Sequence, residues 1–153
     1  EDHIKFSKKY CPQKGDVYMV KSGATTGNVA FIDTDEEFNI WSPLAVIRPH
    51  KSKSITPYIF FFMRSRNYLQ SIALNWSYGT QQNIGMNVIE NLPISLPPVS
   101  EQLEISSFLD RETARIDALI EKVEQSIELL KEYRTALIST AVTGKIDVRE
   151  EAV

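Results

Sequence analysis

Two polar loops carry the residues of this chain best suited to hold a ligand. The first, Lys21-Ser22-Gly23-Ala24-Thr25-Thr26-Gly27-Asn28, combines a lysine, hydroxyls, two glycines and an asparagine. Glycine lets backbone amides approach a ligand closely, and lysine and hydroxyl groups bond phosphate oxygens. The second, Tyr78-Gly79-Thr80-Gln81-Gln82-Asn83-Ile84-Gly85, is rich in side-chain amides. An amide presents a donor and an acceptor together, the pairing that reads adenine in a major groove. Arg48, Lys51 and Lys53 cluster after a β-prone run, and Arg64 and Arg66 sit in an aromatic-rich stretch. Both groups suit phosphate contact. Each group also has a plain structural reading: a solvated hairpin tip, a turn whose amides satisfy their own backbone, a solvated basic surface.

Catalytic sets are missing from the sequence. It has no Asp/Glu-x-Lys triplet of the kind that ends a metal-nuclease motif. Gly23 to Gly27 is not followed by Gly-Lys-Ser/Thr, so it is no Walker phosphate loop. Leu96-Pro97-Pro98-Val99 lacks the Asn-Pro-Pro-aromatic tetrad of amino-methyltransferases. Cys11 is the sole cysteine, and with His3 and His50 it falls short of a standard zinc set. The histidines read as surface residues, Cys11 as inert, and Trp41 and Trp76 as packing. Catalysis by this chain alone is therefore not expected, and neither is a metal or a cofactor of its own.

A single cysteine excludes an internal disulfide and suits a reducing cytosol. No apolar run approaches the ~18 residues of a membrane span, and the start lacks a secretory pattern. A cytoplasmic protein is expected. The net charge of −3 argues against a nonspecific nucleic-acid coat. It is unevenly placed, at +2 over residues 1–100 and −5 over 101–153, which leaves room for a local basic surface.

The elements that must position these loops read as α+β. Val17–Val20 and Val29–Ile32 flank the first loop as a hairpin with a glycine-hinged tip. Leu44–Ile47 is a buried strand stopped by Arg48-Pro49. Thr56-Pro57 starts a helix, the threonine hydroxyl capping it and the proline in its first turn. That helix runs, packed, to about Asn75. Residues 75–85 read as loop, 88–92 as a short helical turn, and Ile94–Leu96 as a last strand.

Beyond Pro98 the sequence becomes one long helix, with Ser100 as its cap and Glu101 and Glu104 favouring its positive end. Leu109, Ile116, Val123, Leu130 and Leu137 recur every seventh residue, with Leu119, Ile120, Ile127, Tyr133 and Ala141 beside them. From Glu101 to Ala141 an unbroken helix spans about 60 Å at ~1.5 Å per residue. Such a stripe suits a seam laid along another helix. Thr143-Gly144-Lys145 is the stop.

The residues also match an ordered series of motifs. Gly15-Asp16-Val17 leads into Ser22-Gly23 and Gly27-Asn28. Gly79-Thr80-Gln81-Gln82-Asn83-Ile84 follows, then Leu92-Pro93-Ile94, Leu96-Pro97-Pro98 and Glu101-Gln102. Tyr133-Arg134, Leu137-Ile138 and Ala141-Val142-Thr143-Gly144-Lys145-Ile146-Asp147 close it. The series resembles the specificity subunit of type I restriction–modification enzymes over nearly the whole chain. The resemblance implies a target-recognition domain at 1–98, a spacer and dimerisation helix at 99–145, and a tail at 146–153. It also implies partners: double-stranded DNA, S-adenosylmethionine-binding modification subunits that methylate adenine, and a restriction motor. Such subunits carry two recognition domains whose helices pair antiparallel. This chain holds one of each, and its domain reads as truncated at the N-terminal side. It is therefore expected to be the C-terminal half of a subunit or a half-length version.

On this reading Lys21, Ser22, Thr25, Thr26 and Asn28 form the first DNA-contact loop, and Tyr78, Thr80, Gln81, Gln82 and Asn83 the second. Arg48, Lys51 and Lys53 are weaker phosphate contacts. Leu109, Ile116, Leu119, Ile120, Val123, Ile127, Leu130 and Leu137 form the seam. In isolation it is expected to pair as an antiparallel homodimer, or with a second recognition half. The competing reading is a coiled-coil interaction module with no DNA contact.

Overall fold

The structure is a computed structural model that describes residues 12–36, 38, 40, 43–75, 77–78 and 82–149. Three antiparallel strands form its main sheet in the order β2-β1-β3: β1 Val17–Val20, β2 Val29–Phe31 and β3 Leu44–Ile47. β1 is central, its Tyr18 opposite Ala30 on one side and Val46 on the other. Its position follows from its residues. Val17 and Met19 on one face and Tyr18 on the other are all buried, so both faces of this β-prone run are covered, as suits a central strand.

Two helices cover the sheet: α1 Thr56–Arg64 and α2 Arg66–Leu74. They contribute Tyr58, Ile59, Met63, Tyr68 and Ile72 to one cluster with Val17, Met19 and Ala45. The single helix expected from 56 to 75 is thus two. Ser65 adopts an extended conformation, φ −65° and ψ 147°, and its hydroxyl accepts a hydrogen bond from the Tyr68 amide at 3.3 Å. Ending one helix and capping the next at a single residue turns the chain by a full corner. Phe62 and Tyr68 close that corner edge-to-face at 5.8 Å.

Thr56 does not cap α1. Ile55 holds the cap position without a side-chain bond, and the Thr56 hydroxyl donates instead to Gly15 O at 2.7 Å, tying the helix to the start of β1. The expected loop at 75–85 contains a small ladder, β4 Ser77–Tyr78 with β5 Gln82–Asn83. A short helix, α3 Met86–Asn91, follows. Residues 94–96 are not a strand. Proline at 93 and 97 removes amides a ladder would need, and the segment is held by a side chain, Tyr58 OH donating to Ser95 O at 2.7 Å.

The last helix, α4, runs from Val99 to Val142. The Gln102 amide already bonds Pro98 O at 3.0 Å, so the helix opens one residue before Ser100, which is not its cap. Its end is a paired closure: Lys145 N bonds Thr140 O at 2.9 Å and Gly144 N bonds Ala141 O at 3.2 Å. Gly144 sits at φ 72°, where a side chain would be strained. Sequence motifs divide the chain at 98/99, where α4 begins. Compactness divides it at 109/110, so the first turns of α4 belong to the globular unit and Asp110 opens the second.

Those first turns are anchored by one side chain. Gln102 is fully buried. Its Oε1 accepts from Ile55 N at 3.1 Å, and its Nε2 donates to Lys53 O at 2.8 Å and to Pro97 O at 2.7 Å. Glutamine is the residue for this place because it supplies an acceptor and two donors on one arm without charge. Ser106 follows one turn on, buried, its hydroxyl bonding Gln102 O at 2.8 Å.

Candidate nucleic-acid interface

The structure brings the two polar loops together, although sixty residues separate them in sequence. Ile84 N donates to Lys21 O at 2.8 Å, and Ser22 forms an antiparallel bridge with Asn83. β5 therefore lies along the base of the first loop, and the two candidate contact segments share one backbone framework. Lys21 N also bonds Pro43 O at 2.8 Å, so the root of the loop is held from both sides.

The first loop is ordered by its own polar groups. Gly27 N bonds Val20 O at 2.8 Å, Asn28 N bonds Thr25 O at 3.0 Å, and the Thr26 hydroxyl donates to Gly23 O at 2.6 Å. Gly27 is buried at φ 93°, and a Cβ there would lie 3.5 Å from Leu69. There is room for a methyl group but not for the backbone conformation, so glycine is required by φ alone. This bracing leaves Thr25 and Asn28 exposed, with Lys21, Ser22 and Thr26 half-buried. Asn83 is exposed beside them. Tyr78 and Gln82 are backbone partners in the β4–β5 ladder. Thr80 and Gln81 lie outside the described residues, as do His3, Cys11, Trp41 and Trp76.

Thr26 and Asn28 also border a concave surface of about 760 Å³, completed by Phe60 and Arg64 of α1 and by Leu69, Ile72 and Ala73 of α2. Its floor is apolar and its polar groups come from the loop and from Arg64.

The basic group resolves into two parts. Arg48 does not stand out as a spare cation. It follows β3 opposite the start of β1, and its Nε and Nη2 bond the two carboxylate oxygens of Asp16 at 2.7 and 2.8 Å. Asp16 is 1 % exposed and also accepts from Gln13 N at 2.8 Å. Arg48, expected as a phosphate contact, is thus engaged in an ion pair with a buried carboxylate. Arg48→Ala takes the two-bond cationic partner from that buried carboxylate, so unfolding stability should fall by about 3 kcal/mol, read from urea denaturation. A change below ~1 kcal/mol, the value of an exposed pair, would contradict this.

Lys51 and Lys53 are exposed on a turn closed by Lys53 N and Ser54 N on His50 O, at 2.8 and 2.9 Å. Among the described residues neither is paired with a carboxylate. Lys51 borders a hollow of about 280 Å³ with Lys14, Ser54 and Thr56. The Lys14 ammonium is occupied there: its hydrogen bond to Asp35 at 3.3 Å, helped by Asp33 at 3.6 Å, raises its pKa. His50 is exposed as expected.

On α4, Ile116, Leu119, Ile120, Val123, Ile127, Leu130 and Leu137 are all exposed, between 44 and 65 %. Leu109, expected to head the seam, is half-buried and ends the globular unit. The opposite face carries Glu121, Glu128 and Glu132. Two exposed ion pairs three residues apart form on α4, Glu112 with Arg115 at 3.9 Å and Glu128 with Lys131 at 2.6 Å. No helix of the described residues is long and apolar enough to cross a membrane. Gln102 is the residue whose importance spacing did not reveal. Its signal was only its place in a quoted motif, since burial of a polar side chain on a helix cannot be read from periodicity.

A family model described as type I restriction modification DNA specificity domain matches residues 1–129. The specificity subunit of the type I restriction enzyme EcoBI from Escherichia coli is 32% identical over 87 residues, covering 57% of this chain and 18% of that protein. The EcoKI specificity subunit of E. coli strain K12 is 28% identical over 144 residues, covering 94% of this chain and 31% of that protein. The crystal structure of the HsdS subunit from Thermoanaerobacter tengcongensis shares the fold. It has a TM-score of 0.56 at 23% identity, over 89% of this chain and 34% of that one. The chain spans about a third or less of the length of each of these relatives.

Proposed function

The chain belongs to the type I restriction modification DNA specificity domain family, and on that premise we propose that it is one DNA-reading head with its spacer helix. The head reads part of a double-stranded target through the paired loops. The exposed run of α4 lies antiparallel along a second such helix, from another recognition half or another copy, and seats the modification subunits. Adenine methylation, with its S-adenosylmethionine, and cleavage by a motor subunit belong to those partners, and this chain supplies no chemistry. A cytoplasmic location follows from its substrate.

One observation carries the reading. The Ser22–Asn83 bridge and the Ile84–Lys21 bond place both polar loops on one braced framework, with Thr25, Asn28 and Asn83 at its surface. Base reading needs donors and acceptors held in fixed register, and a shared ladder supplies that without spending side chains on it.

The test is equilibrium binding by the complex with its cognate modification subunits, over a panel of duplexes. Asn28→Ala and Asn83→Ala are expected to cost about 1–3 kcal/mol of discrimination between cognate and altered sites, with thermal stability preserved. Sequence-independent binding, or none, by the wild-type complex would remove the recognition role and leave the interaction module.

A further inference from the structure

Arg64, of a residue type suited to phosphate contact, is placed by the structure in a particular setting. It closes α1 and is exposed, and its guanidinium carbon stands 4.9 Å from the centroid of the Phe60 ring one turn earlier. The ring is itself fixed, packed edge-on against Phe31 of β2 at 5.1 Å and against Phe61 at 5.3 Å. A guanidinium held over a packed ring face leaves its N–H groups available to an acceptor. It then surrenders less side-chain freedom when those groups are used. Among the described residues Arg64 forms no ion pair, whereas Arg48, Arg111, Arg115 and Arg149 each do.

Its location gives this oriented cation a meaning. Arg64 lines the same concave surface as Thr26 and Asn28 of the first loop, above the apolar floor of Leu69, Ile72 and Ala73. Apolar walls offer nothing to the donors and acceptors of a base edge. Arginine, threonine and asparagine together are the residue types that bond phosphate oxygens, and the phosphate and sugar take half to two-thirds of protein–DNA hydrogen bonds. Where residues 1–100 carry a net charge of only +2, a cation without an ion pair beside the contact loop adds to phosphate neutralisation.

Resting on the DNA-recognition reading above, we propose that Arg64 is a phosphate-contacting residue. Held over Phe60, it holds the DNA backbone beside the first loop.

The experiment uses the complex with its modification subunits, wild type against Arg64→Ala and Arg64→Lys. Cognate and altered duplexes are titrated across a range of salt. Arg64→Ala is expected to weaken binding to every duplex by a similar factor, about tenfold, and to reduce the slope of log K against log salt by about one. Arg64→Lys recovers most of that loss, because a phosphate accepts a point charge. Unchanged thermal midpoints show that the fold is intact. A loss confined to duplexes altered at one base pair would overturn the proposal in favour of base reading. So would unchanged affinity and salt slope in an Arg64→Ala complex that still discriminates its site. Failure of the wild-type complex to discriminate would instead remove the recognition reading, and this proposal with it.

Discussion

Gln102→Leu is expected to destabilise the globular unit by roughly 3 kcal/mol, because it strands three part-buried main-chain groups at about 1 kcal/mol each, the low end of the cost of a lost partner. Those groups are Ile55 N–H, Lys53 C=O and Pro97 C=O, bonded at 3.1, 2.8 and 2.7 Å. The loss is a large share of the ~5–15 kcal/mol that holds an ordinary domain. Thermal unfolding followed by near-ultraviolet circular dichroism should show the midpoint down by ten degrees or more. Gln102→Glu is the sharper companion. It keeps an acceptor for Ile55 but sets a carboxylate oxygen against two carbonyls in place of two donors. Were both variants within ~1 kcal/mol of wild type, the bonds would be worth no more than their exchange with water.

The second large effect lies on the exposed seam. Leu130→Asp is expected to abolish pairing through α4. A carboxylate without a partner in an apolar contact costs at least ~2–3 kcal/mol, and a two-fold pair buries two of them. The dissociation constant should rise more than a hundredfold at ~1.4 kcal/mol per decade. Glu132→Ala, on the opposite face of the same helix, should leave association unchanged. Sedimentation equilibrium compares the three proteins. Equal masses for wild type and Leu130→Asp, or a wild type that stays monomeric at high concentration, would show that the stripe from Ile116 to Leu137 is not a self-pairing surface.

The sequence showed most clearly what is decided locally. The β1–β2 hairpin, β3 and the full length of α4 are legible because runs of β-prone residues or a sevenfold apolar repeat act over neighbouring positions, with glycine and proline marking the ends. The break at Ser65 was not legible. Serine is neutral inside a helix, the apolar pattern continues across it, and only its bond from the Tyr68 amide reveals a cap. Residues 94–96 misled for the opposite reason: isoleucine and leucine suggest a strand, but the flanking prolines and the Tyr58 hydroxyl settle the segment as a tethered extended chain. Thr56 and Arg48 were assigned roles their side chains could play alone, yet each is claimed by a distant partner, Gly15 O and Asp16. The site divides the same way. Composition pointed to both loops, while their meeting depends on the Lys21–Ile84 bond, a pairing between distant residues that no local pattern encodes.

All three partners of the Gln102 amide are main-chain atoms. The side chains at positions 53, 55 and 97 have no part in the attachment, and only a proline at 55 would delete one of its bonds. The seat of α4 is therefore a standard fitting, indifferent to what decorates the head. If the head is the DNA reader proposed above, recognition surfaces can be rewritten residue by residue, or one head exchanged for another with the same backbone path, while α4 is gripped as before. Selection on target choice and selection on assembly then act on separate sets of atoms, and a change of target need not be accompanied by a repair to the joint.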